Sequence, residues 1–445
     1  MKIFVSLSLL ATLLLADMSV KSAWESVELK NSGVKAIGDD ISRAELKKES
    51  AKSLYLPSIS VTGSYTHLSK PVNVDTADIS ALLASLPVPL PFPTELDLTK
   101  QDIFLADLNV LWPLYTGGKI NAAQDIYAAG VNEAKALGEM KKDIEFLKLI
   151  KYYYGVVVAF SLYETREEAL KALNIHYENA KKLKEQGQIA KIELLNAEVK
   201  LDSAKIEVTS AHHKLEIAQF ALESLTHNHE LPKSKLFVSS HVEDERYFKD
   251  ETQANYAGLK VLDAKSSQTQ ALIKMKEAAW LPDVVAYGNV NLYRDDSALM
   301  ETLPKWFGGV MVKIDLLQRK DRSQEVQMAE LLNSKVKHLK KQAIEDLGLL
   351  VKKTYKELLS SYEEFHALNS SIELAQENYR LRSVAFKEGL STSVELVDAE
   401  MFLMGAKTKR LNAAYKFVKK VAQLSVLSGD RDMFFKVAAA SQKVN

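Results

Sequence analysis

The chain has 445 residues and as many basic as acidic side chains, so its overall charge gives no electrostatic case for a nucleic-acid partner. It has no cysteine, which excludes disulfides, thiolate catalysis, thiolate-bound metals and a lipid anchor on an N-terminal cysteine. Charged residues at 26%, aromatics at only 8% and sparse glycine favour long helices over a compact α/β enzyme.

The first residues read as an export signal. Lys2 supplies a minimal basic region, and residues 3–15 form an apolar core too short to span a bilayer. Ala16 is a plausible cleavage edge, with Ala23 as a competitor, so the signal is taken as 1–16 or up to 23. No later run approaches about 18 consecutive apolar residues, so no transmembrane helix is expected beyond the signal. An exported chain can still cross a membrane as a closed β-barrel, the other way to satisfy every backbone group.

Residues 41–54 can form a helix that stops at Leu56-Pro57. A strand is expected over 58–66, where Ile59, Val61 and Tyr65 alternate with hydroxyl residues. Such a dyad pattern suits lipid on one side and water on the other, or a half-buried strand in a soluble protein. Residues 69–101 read as an exposed excursion, because Pro87, Pro89, Pro91 and Pro93 fall on alternate positions. A second strand is expected over 103–112, with Phe104, Leu108, Val110 and Trp112 on one face and Asp107 and Asn109 on the other. A proline-free helical run comes next over 118–186, roughly 100 Å if straight.

The design then repeats. Trp280-Leu-Pro282 mirrors Tyr55-Leu-Pro57, and strands are expected over 284–293 and 306–316 with a short loop between them. A second long helical run covers 320–387. Segment 228–256, rich in polar residues, reads as irregular. The division expected is a first repeat 17–228, a connecting segment 229–256, a second repeat 257–429 and a C-terminal tail 430–445.

The repeat is clearest where each long helix ends. Gly187-Gln-Ile-Ala-Lys-Ile-Glu-Leu-Leu-Asn-Ala-Glu198 and Gly389-Leu-Ser-Thr-Ser-Val-Glu-Leu-Val-Asp-Ala-Glu400 share one pattern at an offset of 202 (389 − 187). Pro113 and Asp315 keep the same offset (315 − 113). Glycine can take positive φ and end a helix, and Ser391, Thr392 or Ser393 can cap the next one. Val394, Val397, Met401, Met404, Thr408, Leu411, Tyr415 and Val418 then step by alternating threes and fours, which predicts a coiled-coil seam. The topology expected is helix, strand, loop, strand, long helix, tip, helix, made twice. Four such strands cannot close a barrel, since about eight is the smallest useful number, so membrane embedding would require several copies.

These residues carry a resemblance. The repeated Leu-Pro, the Pro113-Leu-Tyr-Thr-Gly-Gly118 element and the two Gly-x4-[Ile/Val]-Glu-Leu tips resemble the TolC-like outer membrane efflux protein family over nearly the whole mature chain. The second repeat departs, with Leu317-Gln-Arg-Lys320 where the first has its glycine pair. The resemblance implies a mainly α fold with a β-barrel part. A homotrimer would form a twelve-stranded outer-membrane barrel, continued by a periplasmic coiled-coil tunnel. The tips would meet a periplasmic adaptor attached to an inner-membrane pump of RND or ABC type. By resemblance, Gly187, Gln188, Gly389 and Leu390 match adaptor-contact positions, and Glu193, Asn196, Glu395 and Asp398 match gate positions. Glu395 and Asp398, three apart, share a helix face. By themselves they fit a solvated surface; in a trimer they would stack as two rings of carboxylates that favour cations and bind divalent ions.

Other features are weaker. His212-His213 and His227-Asn-His229 lack a carboxylate at a usual metal-site spacing, so no metal is expected. Tyr152-Tyr-Tyr154 fits packing or a tunnel wall. No nucleophile elbow or phosphate loop is present, so neither an enzyme nor a cofactor is expected. Two rival classes stay open, a periplasmic adaptor and a structural coiled-coil protein. An adaptor should carry one hairpin, and a coiled-coil protein has no use for the alternating strands.

Overall fold

The structure, a computed structural model, describes residues 18–86, 90–316 and 321–444. Residues 1–17 of the signal segment, Pro87, Pro89 and the Leu317–Lys320 departure lie outside the described residues. In chain order the elements are α1 (Val20–Lys30), α2 (Ser32–Lys52), β1 (Ser58–His67), β2 (Asn73–Asp75), α3 (Ala77–Ala84), β3 (Glu95–Asp97), β4 (Asp102–Tyr115) and α4 (Lys119–Glu185). Next come α5 (Lys191–Thr226), β5 (Phe237–Val238), α6 (Glu245–Asn255), α7 (Ala257–Glu277), β6 (Asp283–Arg294) and α8 (Ala298–Thr302). The chain ends with β7 (Trp306–Lys313), α9 (Arg322–Lys387), α10 (Ser393–Leu427), α11 (Arg431–Ala440) and β8 (Gln442–Lys443). Two compact units arise from segments that interleave along the chain, and α4 and α9 contribute residues to both.

One unit, residues 43–132 with 264–337, is built on a four-stranded antiparallel sheet in the order β1-β4-β6-β7. Register places Ile59 beside Val110 and Val61 beside Leu108, with Leu108 in turn beside Val290 and Val290 beside Trp306. One face of the sheet is therefore a continuous apolar band. The other carries a polar ladder in which Asn289 donates to Asn109 (2.9 Å) and Asn109 donates to Thr62 (3.3 Å). Ile59, Val61, Val310 and Val312 are all exposed in the single chain. β1 and β7 are edges with unpaired backbone groups.

Several boundaries differ from the sequence reading. β4 runs through Pro113, which is tolerated because the register against β6 shifts between Pro113 and Tyr115. β7 stops at Lys313 rather than 316. The excursion at 69–101 is not all loop: β2 and β3 pair as a short ribbon, with α3 between them. The short loop of the second repeat holds α8. Gly117 has φ +61, and a Cβ there would lie 2.6 Å from the Leu281 Cβ. A glycine is needed because the strand-to-helix joint of repeat one passes tightly over the Leu-Pro segment of repeat two.

The other unit, residues 18–42, 133–263 and 338–444, is helical. Its core is filled by Phe146, Leu149, Ile150, Tyr153 and Tyr154 of α4, with Phe237 of β5, Phe417 and Val421 of α10, and Phe434 of α11. α4 contains an 18-residue stretch of mean hydropathy 1.2, apolar enough by composition to cross a bilayer. Its apolarity has a local use here, since α4 contributes Phe146, Leu149, Ile150, Tyr153 and Tyr154 to the core. Tyr153 and Tyr154 are fully buried, and the Tyr153 hydroxyl donates to the Met18 carbonyl (2.6 Å) and accepts from the Ser234 N–H (2.9 Å). The stretch read as irregular contains α6, capped by Asp244, and the C-terminal segment forms α11 and β8, the latter paired with β5. Arg431 ties α11 to α4 through Asp143 (2.6 Å) and Glu139 (2.7 Å).

Candidate functional site

The tips of the two hairpins are the same turn. Gly187 and Gly389 both have φ +73. In each, the glycine N–H reaches a carbonyl three residues back (Lys184 or Phe386, 3.0 Å), and the next N–H reaches one five back (Leu183 or Ala385, 2.8 Å). This double closure satisfies the carbonyls a helix end leaves free. Gly187, Gln188, Gly389 and Leu390 are all exposed, Leu390 at 81%.

Beyond the turn the two hairpins differ. In α10 the Thr392 hydroxyl accepts from the Glu395 N–H (3.3 Å), and the Glu395 carboxylate accepts from the Thr392 N–H (3.0 Å), a complete capping box. Ser391 also donates to Glu395 (2.7 Å), and Arg382 of α9 lies 3.2 Å away. The Ser391 hydroxyl first, then the Thr392 N–H and the Arg382 charge hold the Glu395 carboxyl below the usual range. Asp398 is exposed and makes no ion pair among the described residues. α5 has Ala190 at its N-cap position and therefore no side-chain cap. Its Glu193 is half-buried and has one carboxylate oxygen without a hydrogen-bond partner; Asn196 is half-buried.

The predicted seam on α10 is only partly inside the chain. Val397, Met404 and Val418 are buried, but Val394 and Met401 are exposed. The buried stripe instead takes in Leu396, Ala399 and Glu400, tracking the 3.6-residue turn of a packed helix rather than a strict heptad.

Beside the tips the structure brings the cap candidate Ser393 and the seam residue Val397 together with residues of the first hairpin that the sequence reading did not single out. His176 of α4 meets Ser393 of α10, Nε2 to Oγ at 2.5 Å, and its ring packs edge-on against Phe386 of α9. Leu173, Leu201, Ala204 and Val397 form a small apolar cluster there. Glu400 is 8% exposed, and burial pushes its carboxyl up to about 7. The available signal lay in the positions where the repeats disagree: Ala180 against Arg382, Lys191 against Ser393 and His176 against Asn378, each at the offset of 202. Among the described residues no group of three or more His, Asp or Glu could hold a metal ion.

A family model described as outer membrane efflux protein matches residues 27–227 and 250–430, most of the chain. The chain belongs to the outer membrane efflux protein family. It is an outer-membrane protein with a large helical part. Solved structures agree in fold. The outer membrane protein VceC of Vibrio cholerae aligns with TM-score 0.73 at 13% identity, over 93% of this chain and 96% of that one. The CmeC outer membrane channel of Campylobacter jejuni aligns with TM-score 0.71 at 14% identity, over 96% and 90%. The MtrE outer membrane channel of Neisseria gonorrhoeae, in its open state, aligns with TM-score 0.72 at 15% identity, over 93% and 89%. A sequence search of curated proteins gave no match. Membership in this family sets aside the adaptor and structural coiled-coil readings.

Proposed function

We propose that three copies of this chain form the outer-membrane channel of a tripartite export system, closed at the hairpin tips and opened by contact with a periplasmic adaptor. The observation that carries the reading is the single open sheet. It has one apolar face, an opposite face that carries the Thr62–Asn109–Asn289 polar ladder, and two unpaired edges, in a chain whose strands are too few to close by themselves. Joining β7 of one copy to β1 of the next three times gives twelve strands, with the apolar face toward lipid and the polar ladder toward the lumen. The exposed turns at Gly187-Gln188 and Gly389-Leu390 are the surface offered to the adaptor, and an inner-membrane pump of RND or ABC type supplies the energy. Asp398 is the principal gate carboxylate, with Glu193, Asn196 and Glu395 around it. Glu395 contributes less because Arg382 and the helix N-terminus already balance its charge.

The test is single-channel recording in a planar bilayer with divalent ions on one side. Small, discrete, cation-favouring steps that divalents block from one side are expected. Asp398→Asn should raise conductance or weaken the block, and adding Glu395→Asn should change it little more. Folded protein that stays monomeric and gives no steps would overturn the channel. Unchanged conductance and block in the double variant would overturn the gate assignment alone.

A further inference from the structure

His176 is the one histidine among the described residues that is buried, at 4% exposure, and it lies where the hairpin of repeat one meets that of repeat two. It sits 11 residues before Gly187 (187 − 176), about 16 Å along α4. Its Nε2 bonds the hydroxyl of Ser393, which is itself buried as the first residue of α10. Its ring lies 4.4 Å, centroid to centroid, from Phe386 near the end of α9. Its Nδ1 is buried with no hydrogen-bond partner. Leu173 of its own helix, Leu201 and Ala204 of α5 and Val397 of α10 make up the apolar cluster beside it. Every polar and aromatic contact His176 makes across the gap is with the other hairpin.

We propose that the His176–Ser393 contact is a latch between the two hairpins of each protomer, one that holds only while the imidazole is neutral, so that acid parts the hairpins. The proposal rests on the reading of the tips as the closed end of a channel. A neutral imidazole leaves one ring nitrogen bare, which a buried apolar site tolerates. An imidazolium makes both nitrogens donors, and Nδ1–H then has no acceptor while the charge faces Phe386 and leucine side chains.

No charged group on the packed elements pairs with the imidazolium. On α5, Asp202 pairs with Lys205 (2.9 Å). On α9 and α10, Arg382 pairs with Glu395. Tyr177 of α4 packs against the apolar cluster. Glu400 of α10 interacts electrostatically with Tyr379 of α9, within its own hairpin. Parting the hairpins hydrates His176; burial pushes the Glu400 carboxyl up to about 7, so hydrating it as well favours closure as pH falls and opposes His176. Burial alone lowers the imidazole from the usual 6.5 to about 4. A depressed histidine leaves the closed form at full strength above pH ~6.5 and weakens it progressively as pH falls toward about 4. At pH ~5 the titration of His176 by itself favours the parted form about twentyfold over its proportion at neutral pH.

The absence of native cysteine allows a clean spin-label pair at Lys182→Cys and Lys387→Cys, both exposed, with one labelled chain per assembly. Pulsed-EPR distances would be measured between pH 7.5 and 4.5, alongside conductance of the same preparations. The expected result is a longer distance at low pH, retained or enlarged in Glu400→Gln. It should be absent in His176→Asn, which supplies a neutral hydrogen-bonding side chain like Asn378 of the other repeat, and already present at neutral pH in Ser393→Ala. The same acid response in His176→Asn, or its loss in Glu400→Gln, would overturn the latch. Acid separation without any channel conductance would overturn the channel reading and leave the latch standing; conductance without acid separation would do the reverse.

Discussion

The two tips close with matching hydrogen bonds and then part company at the first residue of the return helix. Tip two continues into Thr392, Ser393 and Val397, which cap α10 and bury its first turn against α4 and α5. Tip one continues into Ala190, Lys191 and Leu195, which cap nothing and stay in the open in the single chain. Val397 is 2% exposed and its counterpart Leu195 is 42% exposed. Glu400 is buried where Glu198 is exposed. After duplication the turn was kept because glycine at positive φ is a backbone requirement. The residues beyond it diverged because one tip acquired neighbours within the protomer and the other did not.

The sharpest test of this difference is truncation of the paired aliphatic residues. Val397→Ala should cost about 2 kcal/mol in the unfolding of detergent-solubilised protein, from lost burial and a residual cavity. Leu195→Ala should cost well under about 1 kcal/mol. Equal costs would mean that a second copy covers tip one, and the contrast would then belong to the protomer alone. The glycines should behave alike. Gly187→Ala and Gly389→Ala should each cost about 1 kcal/mol, purely from left-handed backbone, since nothing lies within 4 Å of a Cβ at either site. Unequal costs would break the equivalence of the turns.

The caps should again differ. Thr392→Ala should lose about 1 kcal/mol, and Ala190→Thr should regain up to about that amount in repeat one, where the cap is missing. The smallest effect is the titration of Glu395. Its carboxyl is held below the usual 4.5, so its contribution to tip two is present above that pH and is lost as pH falls through the lowered value. A carboxyl-carbon NMR titration should show the lowered midpoint. Arg382→Gln should raise it only part-way, because the Ser391 hydrogen bond is the larger cause.

The sequence alone determined the elements with strong local signatures. The long helices end within a few residues of the expected positions, at Glu185 and Lys387, because proline-free runs stopped by glycine leave the backbone little choice. The four strands fell where apolar and polar residues alternate, and the offset of 202 exposed both tips. The tip turns and Thr392 as a possible cap were legible for the same local reason. Only the tertiary structure decided the rest. Pro113 can lie inside a strand because a register shift absorbs its missing donor, and that depends on the partner strand. Which residues of α10 are buried depends on the rotation of that helix against α4 and α5, so a regular seam in the sequence still left Val394 and Met401 outside. The meeting of His176 with Ser393 joins residues 217 apart; comparing the repeats marks both positions as divergent, but nothing in the sequence pairs them. Burial of a polar side chain is set by what packs over it, and packing is a property of the folded neighbours rather than of the residue.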